Sequence, residues 1–249
     1  MSPRVGVVTQ ARTSSTRLPG KVLEQVGDRT LLEHHLDRLA ASGLPTLVAT
    51  TTNVGDDALA GIARDRGLPV FRGSERDVLS RFAGCAREHD LDVVVRVTSD
   101  CPLIDGGLVA QGVEEFLAAD DADLYLSNCL TRSYPRGLDF EVFSATALLE
   151  ADERATTPAD REHVTPYLHT NRNGLMRLRN LTRATDASRF RVTVDTAEDL
   201  RLVRALVEEH DAHLLDGDGL VALLEQHPEL VAINGDVEQK SHETAQAAG

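Results

Sequence analysis

The segment from Thr9 to Lys21 holds the residue types in this chain that are best suited to chemistry. It reads Thr-Gln-Ala-Arg-Thr-Ser-Ser-Thr-Arg-Leu-Pro-Gly-Lys and follows a short apolar run at 5–8. Hydroxyl groups and backbone N–H groups in a loop after a strand can donate to phosphate oxygens, while Arg12, Arg17 and Lys21 supply positive charge. The segment therefore predicts an anion-binding loop. An ordinary polar surface loop is the alternative, and composition alone does not separate the two.

The spacing within this loop excludes two common phosphate-binding motifs. Ser15 stands where a Walker loop has its first glycine, and Val22 stands where that loop has a hydroxyl after its lysine. No Gly-x-Gly-x-x-Gly follows the strand either. Of 26 basic residues only Lys21 and Lys240 are lysines. A compact ammonium meets phosphate as a point charge, which a planar guanidinium does not imitate, so we expect Lys21 to bind phosphate.

Two aspartates follow predicted strands elsewhere in the chain. Asp100 lies in Val-Thr-Ser-Asp-Cys-Pro, and Asp195 lies in Val-Thr-Val-Asp-Thr-Ala. If both strands end at the same sheet edge as the loop, the two carboxylates could hold Mg²⁺ between the protein and substrate phosphates. The alternative is that each aspartate is the N-cap of the following helix, a position that aspartate often occupies.

Strand-like and helix-like patterns alternate through the first half of the chain. Apolar β-rich runs predict strands, and repeats at helical spacing between them predict helices. The predicted strands are 5–8, 46–51, 70–71, 93–97 and 124–126. This alternation predicts an α/β fold whose central sheet is mostly parallel, with helices on both faces. Ligands of such sheets bind at the carboxyl ends of the strands.

The second half follows a less regular pattern. We predict a strand at 138–143 with Asp139 and Glu141 on one face, a helical segment at 160–167 and a further strand at 191–194. Residues 1–233 are predicted to form a single domain. The polar, alanine-rich segment 234–249 is predicted to be a disordered tail.

Composition narrows the classes of partner. The formal net charge of −14 argues against nucleic acid and anionic membranes, which both favour basic surfaces. Three widely spaced cysteines indicate neither a disulfide framework nor a zinc site. The chain shows no membrane-helix or signal-peptide pattern, so we expect a cytoplasmic protein.

Five motifs of this chain together resemble the cytidylyltransferases. The closest group is the spore-coat-polysaccharide (SpsF-like) type, which is related to acylneuraminate and 3-deoxy-manno-octulosonate cytidylyltransferases. The resemblance covers about residues 4–207, and its first motif is highly specific. The motifs are Ala11-Arg12-x-x-Ser15-Thr16-Arg17-Leu18-Pro19-Gly20-Lys21, Asp100-Cys101-Pro102-Leu103-Ile104-Asp105, Gly137-Leu138-Asp139-x-Glu141-Val142, Arg161-Glu162-His163-Val164-Thr165-Pro166 and Asp195-Thr196-x-Glu198-Asp199-Leu200.

The resemblance implies a Rossmann-like nucleotide-diphospho-sugar transferase fold, CTP as substrate, Mg²⁺ as cofactor and a homodimer. It implies catalytic roles for Arg12, Lys21 and Asp100, and Mg²⁺ coordination by Asp100 and Asp195. Residues 128–185 would form the side of the domain that faces the acceptor and the second subunit. The implied nucleotide-binding residues are Ala11, Arg12, Ser14, Arg17, Lys21, Gly73, Ser74 and Thr98. The implied acceptor-binding residues are Asp139, Glu141, Arg161 and His163, of which His163 could equally be a structural histidine.

The expected reaction transfers CMP from CTP to a hydroxyl, phosphate or phosphonate group of a small acceptor and releases pyrophosphate. A sugar acid would suit basic side chains such as Arg132, Arg136 and Arg161. Two alternatives stay open at this point. One is a glycosyltransferase that uses a nucleotide sugar, although Ser99-Asp100-Cys101 stands where an Asp-x-Asp motif is usual. The other is a nucleotide-binding protein without catalytic activity.

Overall fold

The structure is a computed structural model that describes residues 2–237. Residues 238–249, which include Lys240 and most of the predicted tail, lie outside the described residues. Within the described range, apolar β-rich runs form nine strands. They are β1 (Val5–Gln10), β2 (Gln25–Val26), β3 (Arg29–Thr30), β4 (Thr46–Thr51), β5 (Val70–Gly73), β6 (Val93–Thr98), β7 (Leu124–Ser127), β8 (Glu141–Ser144) and β9 (Arg177–Asn180).

Seven strands form one central sheet in the order β5-β4-β1-β6-β8-β7-β9, and β2 pairs with β3 in a separate hairpin. β1 lies between β4 and β6 and is parallel to both, with Gln10 opposite Ala49 on one side and Thr98 on the other. Only β8 of this sheet runs antiparallel to its neighbours. The carboxyl ends of β1, β4, β5 and β6 therefore meet at one edge of the sheet.

The apolar stripes of the sequence form ten α-helices within the described residues. They are α1 (Leu31–Ala40), α2 (Asp57–Asp65), α3 (Val78–Glu88), α4 (Gly106–Ala118), α5 (Ala145–Arg154), α6 (Pro158–His163), α7 (Pro166–His169), α8 (Ala197–Glu208), α9 (Gly217–Gln226) and α10 (Pro228–Val231). The helix of α1 begins with a capping box, in which Thr30 and Glu33 exchange hydrogen bonds. In this part of the chain no helix is long and apolar enough to cross a membrane.

The core lies on both faces of the sheet because successive strand residues point to opposite sides. Val7 of β1 packs with residues of α4 and α8, whereas Val8 packs with Leu79 and Phe82 of α3. Helices therefore cover both faces of a mostly parallel sheet, and the predicted fold class is confirmed.

Three local predictions differ from the structure. Segment 191–194 forms only one bridge, between Arg191 and Arg136, so the predicted strand is wrong. Its backbone groups bond instead to loops, as when the N–H of Val194 donates to the carbonyl of Asp100 at 2.8 Å. The helical segment at 160–167 breaks at Val164, whose φ of 72° ends α6 before Pro166 begins α7. The strand predicted from 138 begins at Glu141.

Candidate functional site

The anion-binding loop and Asp100 lie side by side because β1 and β6 are neighbours. Gln10 and Thr98 are opposite each other at the ends of these strands. The backbone N–H and the hydroxyl of Ser99 both donate to the Gln10 carbonyl, at 3.1 and 2.6 Å. Asp100 therefore follows directly at the mouth of the loop, as its position after a strand predicted.

At its C-terminal end the loop returns to Asp100, where Lys21 is located. Gly20 adopts a left-handed φ of 71°, which glycine accepts without a steric penalty, and a short 3₁₀ turn begins at Lys21. The Lys21 Nζ atom donates to Asp100 Oδ2 at 2.9 Å, to Asp195 Oδ1 at 2.8 Å and to the Val194 carbonyl at 2.7 Å. One ammonium thus joins three parts of the chain that are far apart in sequence.

The charges of this cluster stabilise one another. Burial by itself opposes ionisation of Asp100, but the Lys21 ammonium and a hydrogen bond from Thr98 outweigh it and lower the pKa of Asp100 to about 2. Burial would likewise lower the pKa of Lys21, but Asp100 and Asp195 raise it above its ordinary value. The site therefore holds an ionised carboxylate and a charged ammonium at neutral pH.

Asp195 forms ion pairs and does not cap a helix. The N-cap of α8 is Thr196, which forms a capping box with Asp199. Asp195 Oδ2 instead accepts from Arg17 at 3.0 Å and from Arg191 at 2.8 Å. Asp100 caps no helix either, since α4 is capped by Asp105. The capping alternative for the two aspartates is therefore wrong.

The oxygen atoms around Lys21 Nζ define a place for a cation. Two carboxylates and one carbonyl converge on it, and hard oxygen ligands of this kind suit Mg²⁺. Among the described residues no group of three or more His, Cys, Asp or Glu side chains could hold a metal ion. A site with two carboxylates fits a cation that takes its remaining ligands from water and substrate phosphates.

Asp56 and Glu75 accept hydrogen bonds from the loop residues Thr13 and Ser14. The sequence patterns did not identify either carboxylate as part of the site. Asp56 Oδ1 accepts from the N–H and hydroxyl of Thr13 at 2.8 and 2.6 Å, and Asp56 Oδ2 accepts from Thr51 at 2.5 Å. These hydrogen bonds outweigh burial and lower the pKa of Asp56. Ser14 donates to Glu75, which also accepts from Asn53 at 2.8 Å. The loop is therefore tied to the ends of β4 and β5.

His35 of α1 makes two buried contacts next to the site. Its ring nitrogens contact Thr9 Oγ1 and the Cys101 carbonyl, both at 2.8 Å. Burial lowers the pKa of this imidazole to about 4, so the ring is neutral at physiological pH. The helical spacing of the sequence places His35 inward, but only the structure shows that it links β1 to the turn after Asp100.

The other predicted nucleotide-binding residues lie along the same edge of the sheet, at the ends of β1, β5 and β6. Ala11 is a buried residue of the loop, and Thr98 and Gly73 are the last residues of β6 and β5, which β1 and β4 separate in the sheet. Ser74 is exposed beyond β5. Within the described part of the chain, the half-buried Arg12 makes no hydrogen bond or ion pair, so its guanidinium is available to a ligand. The nucleotide-binding roles themselves stay predictions.

The predicted acceptor-binding residues lie in separate groups of contacts. Asp139 forms a two-pronged ion pair with Arg132. Glu141 is buried and accepts from Tyr125 at 2.5 Å, from Thr165 at 2.6 Å and from Arg96. Contacts of this kind, all to other protein groups, are typical of a structural carboxylate, so Glu141 behaves as one in this structure.

Arg161 and His163 lie on or near the end of α6. Arg161 donates to Asp77 at 2.5 Å and to Asp152 at 2.9 Å, which ties α6 to α3 and α5. His163 is the last residue of α6. The acceptor-binding roles of all four residues stay predictions.

Arg136, like Arg12, is a basic residue whose side chain is open to a ligand. Its backbone pairs with 190–192, which brings it beside Arg191. Burial lowers its pKa first, and the nearby Arg132 and Arg191 add to this. Its side chain makes no ion pair or hydrogen bond with the residues described. Arg136 can therefore accept an anionic group from a ligand.

This chain is similar to known cytidylyltransferases in both sequence and structure. Residues 7–228 match the family model described as cytidylyltransferase. The spore coat polysaccharide biosynthesis protein SpsF of Bacillus subtilis is 31% identical, over 89% of this chain and 94% of that protein. A 3-deoxy-manno-octulosonate cytidylyltransferase of Rhodospirillum rubrum is 32% identical, over 84% of this chain and 87% of that protein. A solved cytidylyltransferase of Leptospira borgpetersenii superposes with a TM-score of 0.89 at 32% identity, covering 96% of this chain and 100% of its own.

Proposed function

Since the chain belongs to the cytidylyltransferase family and is thereby a nucleotidyltransferase, we propose that it transfers CMP from CTP to a small anionic acceptor. The observation that carries this proposal is the convergence of Lys21, Asp100 and Asp195 beside the anion-binding loop. Such a site combines fixed positive charge with carboxylates at the carboxyl ends of parallel strands, where substrates of this type of sheet bind. The resemblance read from the sequence motifs is confirmed at the level of the family.

The proposed reaction is a displacement at the α-phosphorus of CTP. An oxygen of the acceptor forms a new bond to this phosphorus, and the bond from the α-phosphorus to the bridging oxygen of pyrophosphate breaks. The proton of an acceptor hydroxyl passes to water, and pyrophosphate leaves with the electron pair of the broken bond. Reactions of this type need positioning and charge neutralisation more than covalent help from the protein.

The basic groups of the loop are suited to that task. Arg12 makes no ion pair or hydrogen bond with a carboxylate among the described residues, although it lies near Glu75, and Arg17 pairs with the part-exposed Asp195. Lys21 Nζ lies at the mouth of the loop, within reach of phosphates that bind there. These cations stabilise the charge that develops on the leaving pyrophosphate.

Mg²⁺ is the proposed cofactor, with Asp100 and Asp195 as its protein ligands. When bound, it supplies Lewis-acid polarisation of the phosphate oxygens. The oxygen donor set around the Lys21 position supports this assignment. Because the ammonium occupies the space between the two carboxylates, Lys21 has to transfer its contacts to phosphate when the metal and CTP bind together.

We propose a sugar acid or a phosphate-bearing sugar derivative as the acceptor. Arg136 supports this, because its guanidinium lies near Arg191 and makes no hydrogen bond or ion pair within residues 2–237. One relative is named as acting on 3-deoxy-manno-octulosonate, which is an acidic sugar, and SpsF is named for polysaccharide biosynthesis. Nucleotide-sugar synthesis for a polysaccharide is therefore the proposed process.

Family membership argues against the two alternatives. The family match favours a cytidylyltransferase over a glycosyltransferase, and Ser99-Asp100-Cys101 lacks the metal motif expected of the latter. All charged residues of the matched loop and aspartate motifs are present, which gives a non-catalytic protein no support. The homodimer stays a prediction from the resemblance, and the cytoplasmic location stays a prediction from the sequence pattern.

Pyrophosphate release tests the proposal. The protein is incubated with each of the four nucleoside triphosphates, with and without Mg²⁺, and with sugar acids, polyol phosphates and phosphonates in turn. We expect release with CTP only, dependent on Mg²⁺ and on one class of acceptor. If CTP binds but no acceptor of the panel supports release, the proposed acceptor class is wrong.

A further inference from the structure

Asp56 carries a buried carboxylate that the proposed reaction does not use. It is 1% exposed and occupies the N-cap position of α2, yet its side chain makes no capping hydrogen bond to that helix. Aspartate at this position usually accepts from N–H groups of the first turn. Here Oδ1 accepts from the N–H and the hydroxyl of Thr13 at 2.8 and 2.6 Å, and Oδ2 accepts from the hydroxyl of Thr51 at 2.5 Å. The carboxylate is therefore directed towards the anion-binding loop instead of its own helix.

Thr13 is the residue at which the anion-binding loop closes on itself. Its carbonyl accepts from the N–H of Gly20 at 2.8 Å. Gly20 directly precedes Lys21, and Arg12 directly precedes Thr13. The N–H and the hydroxyl of Thr13 are bound to Asp56, while its carbonyl is bound inside the loop. One residue thus connects the backbone positions of the two cations to the buried carboxylate.

The segment that carries Asp56 is itself fixed to the sheet. Thr51 is the last residue of β4, which pairs with β1 and β5, and its hydroxyl oxygen also accepts from the N–H of Asn53 at 3.1 Å. Gly55 leaves room for the loop, because an added Cβ there would stand 3.3 Å from the Thr13 hydroxyl oxygen. Hydrogen bonds to an ionised carboxylate are stronger than those between neutral groups. Asp56 therefore links the loop to the rigid end of a central strand.

The negative charge of Asp56 does not itself favour an anionic ligand. Asp56 and Arg12 lie within electrostatic range of the same two side chains, Glu75 and Arg81, so the carboxylate is close to the cationic loop. A carboxylate at such a place repels a phosphate. A benefit for binding can come only from the shape that Asp56 imposes on the loop, because donors that are already in place need no rearrangement when the ligand arrives.

We propose that Asp56 is a positioning residue, which holds Thr13 and thereby fixes the anion-binding loop in the shape that receives the triphosphate of the nucleotide. This inference rests on the proposed function and adds a residue that lies outside the loop. Arg12 and Lys21 contact the triphosphate, whereas Asp56 acts only through Thr13. Without this hold, part of the binding energy is needed to order the loop.

Calorimetric titration with inorganic triphosphate and with CTP, each with Mg²⁺, tests the proposal through the sign of the effect. Loss of repulsion alone would make both ligands bind more tightly to Asp56→Ala. We expect instead that Asp56→Ala binds both ligands about tenfold or more weakly, since two charge-assisted hydrogen bonds to the loop are lost. Asp56→Asn removes the same charge but keeps an oxygen that accepts from Thr13, so it should recover most of the affinity. Unchanged or tighter binding by Asp56→Ala would overturn the proposal.

Two valine variants separate positioning from a general loss of stability. Thr13→Val and Thr51→Val each remove one hydroxyl that donates to Asp56, and the two bonds are of similar length. Urea unfolding should therefore show a similar loss of stability in both. We expect Thr13→Val to weaken triphosphate binding by about fivefold or more and Thr51→Val by less than about twofold. Equal weakening in both, or none in Thr13→Val, would overturn the proposal. These variants carry the test if Asp56→Ala does not fold.

The double variant Asp56→Ala with Thr13→Val excludes a direct contact of the Thr13 hydroxyl with phosphate. If Asp56 acts through Thr13, the double variant should bind triphosphate about as weakly as Asp56→Ala alone. Losses that multiply would show that the two residues act independently, which would overturn the proposed route through Thr13.

The two proposals fail in different ways. Weaker triphosphate binding by Asp56→Ala, with no pyrophosphate release from CTP by the wild type, would contradict the proposed function alone. Release from CTP by the wild type, with triphosphate binding unchanged in Asp56→Ala, would contradict only the role of Asp56.

Discussion

The Lys21 ammonium lies 2.9 Å from the Asp100 carboxylate, 79 positions away in sequence. It also contacts Asp195 at 2.8 Å, so a residue of the anion-binding loop occupies the space between the two predicted metal ligands. In the proposed reaction this relationship would couple phosphate binding to metal binding, because all three contacts of the Lys21 ammonium are to protein oxygens in the structure.

Lys21→Ala tests the role of this ammonium in the reaction. Removing one group that stabilises developing charge typically costs about 2.7–4 kcal/mol of barrier, so kcat should fall by about a hundredfold to a thousandfold. Steady-state pyrophosphate release measures this. Lys240→Ala, which changes the only other lysine of the chain, is the control and should retain wild-type activity. A Lys21→Ala enzyme with unchanged kcat would remove Lys21 from the mechanism.

The position of Lys21 also predicts how the protein responds to Mg²⁺ without nucleotide. In the wild type the ammonium competes with the metal for Asp100 and Asp195, so Mg²⁺ alone should raise Tm very little. In Lys21→Met the two carboxylates face each other without that cation, and Mg²⁺ should raise Tm clearly by binding the folded state. Thermal unfolding in MgCl₂, against NaCl of equal ionic strength, separates binding from screening. If Mg²⁺ raised the Tm of both proteins by a similar amount, the metal and the Lys21 ammonium would not compete for the same two carboxylates.

His35 predicts a pH dependence of stability. Its pKa of about 4 in the folded protein lies below the ordinary 6.5, so between these values the unfolded chain binds a proton that the folded protein does not. The contribution to stability is complete above pH 6.5 and is lost as the pH falls towards 4. At pH 5 this loss is about 2 kcal/mol. The free energy of unfolding, measured with urea from pH 7.5 to 5, should fall more steeply for the wild type than for His35→Gln. An equal fall in both proteins would contradict the lowered pKa of His35.

Arg136→Leu tests the acceptor site. The variant should raise KM for an acidic acceptor by about tenfold or more, the magnitude of one lost charge-assisted hydrogen bond, while KM for CTP stays near the wild-type value. Arg154→Leu is the control, because Arg154 is exposed on α5. An equal effect on both substrates would place Arg136 in a structural role or on the nucleotide.

Sequence patterns predicted the framework of the site well. Apolar runs rich in residues that favour β-strands predicted most strands of the sheet. Because the carboxyl ends of parallel strands lie at one edge, the pattern also placed Asp100 beside the loop. Family motifs added Asp195, which the sequence alone left open as a helix cap. The segment before Asp195 shows the limit of such patterns, because 191–194 looks like a strand but bonds to loops.

Other features depend on long-range contacts that no local pattern encodes. Asp56 holds Thr13 across 43 positions, and His35 reaches the Cys101 carbonyl across 66. Within residues 2–237, Nε and Nη2 of Arg81 lack hydrogen-bond partners, which the sequence does not reveal. The sequence also assigned Lys21 to phosphate, whereas the structure shows its contacts with both aspartates.

Pyrophosphate release from CTP by Asp100→Asn and Asp195→Asn tests the proposed roles of the two carboxylates most directly. Each variant keeps the size of the side chain but removes a charge that binds Lys21 in the structure and Mg²⁺ in the proposed reaction. Asp57→Asn, at an exposed aspartate near the end of β4, is the control. We expect kcat to be lower by about a hundredfold or more in both variants, with little remaining response to Mg²⁺. Full activity in both variants would show that the chemistry takes place elsewhere.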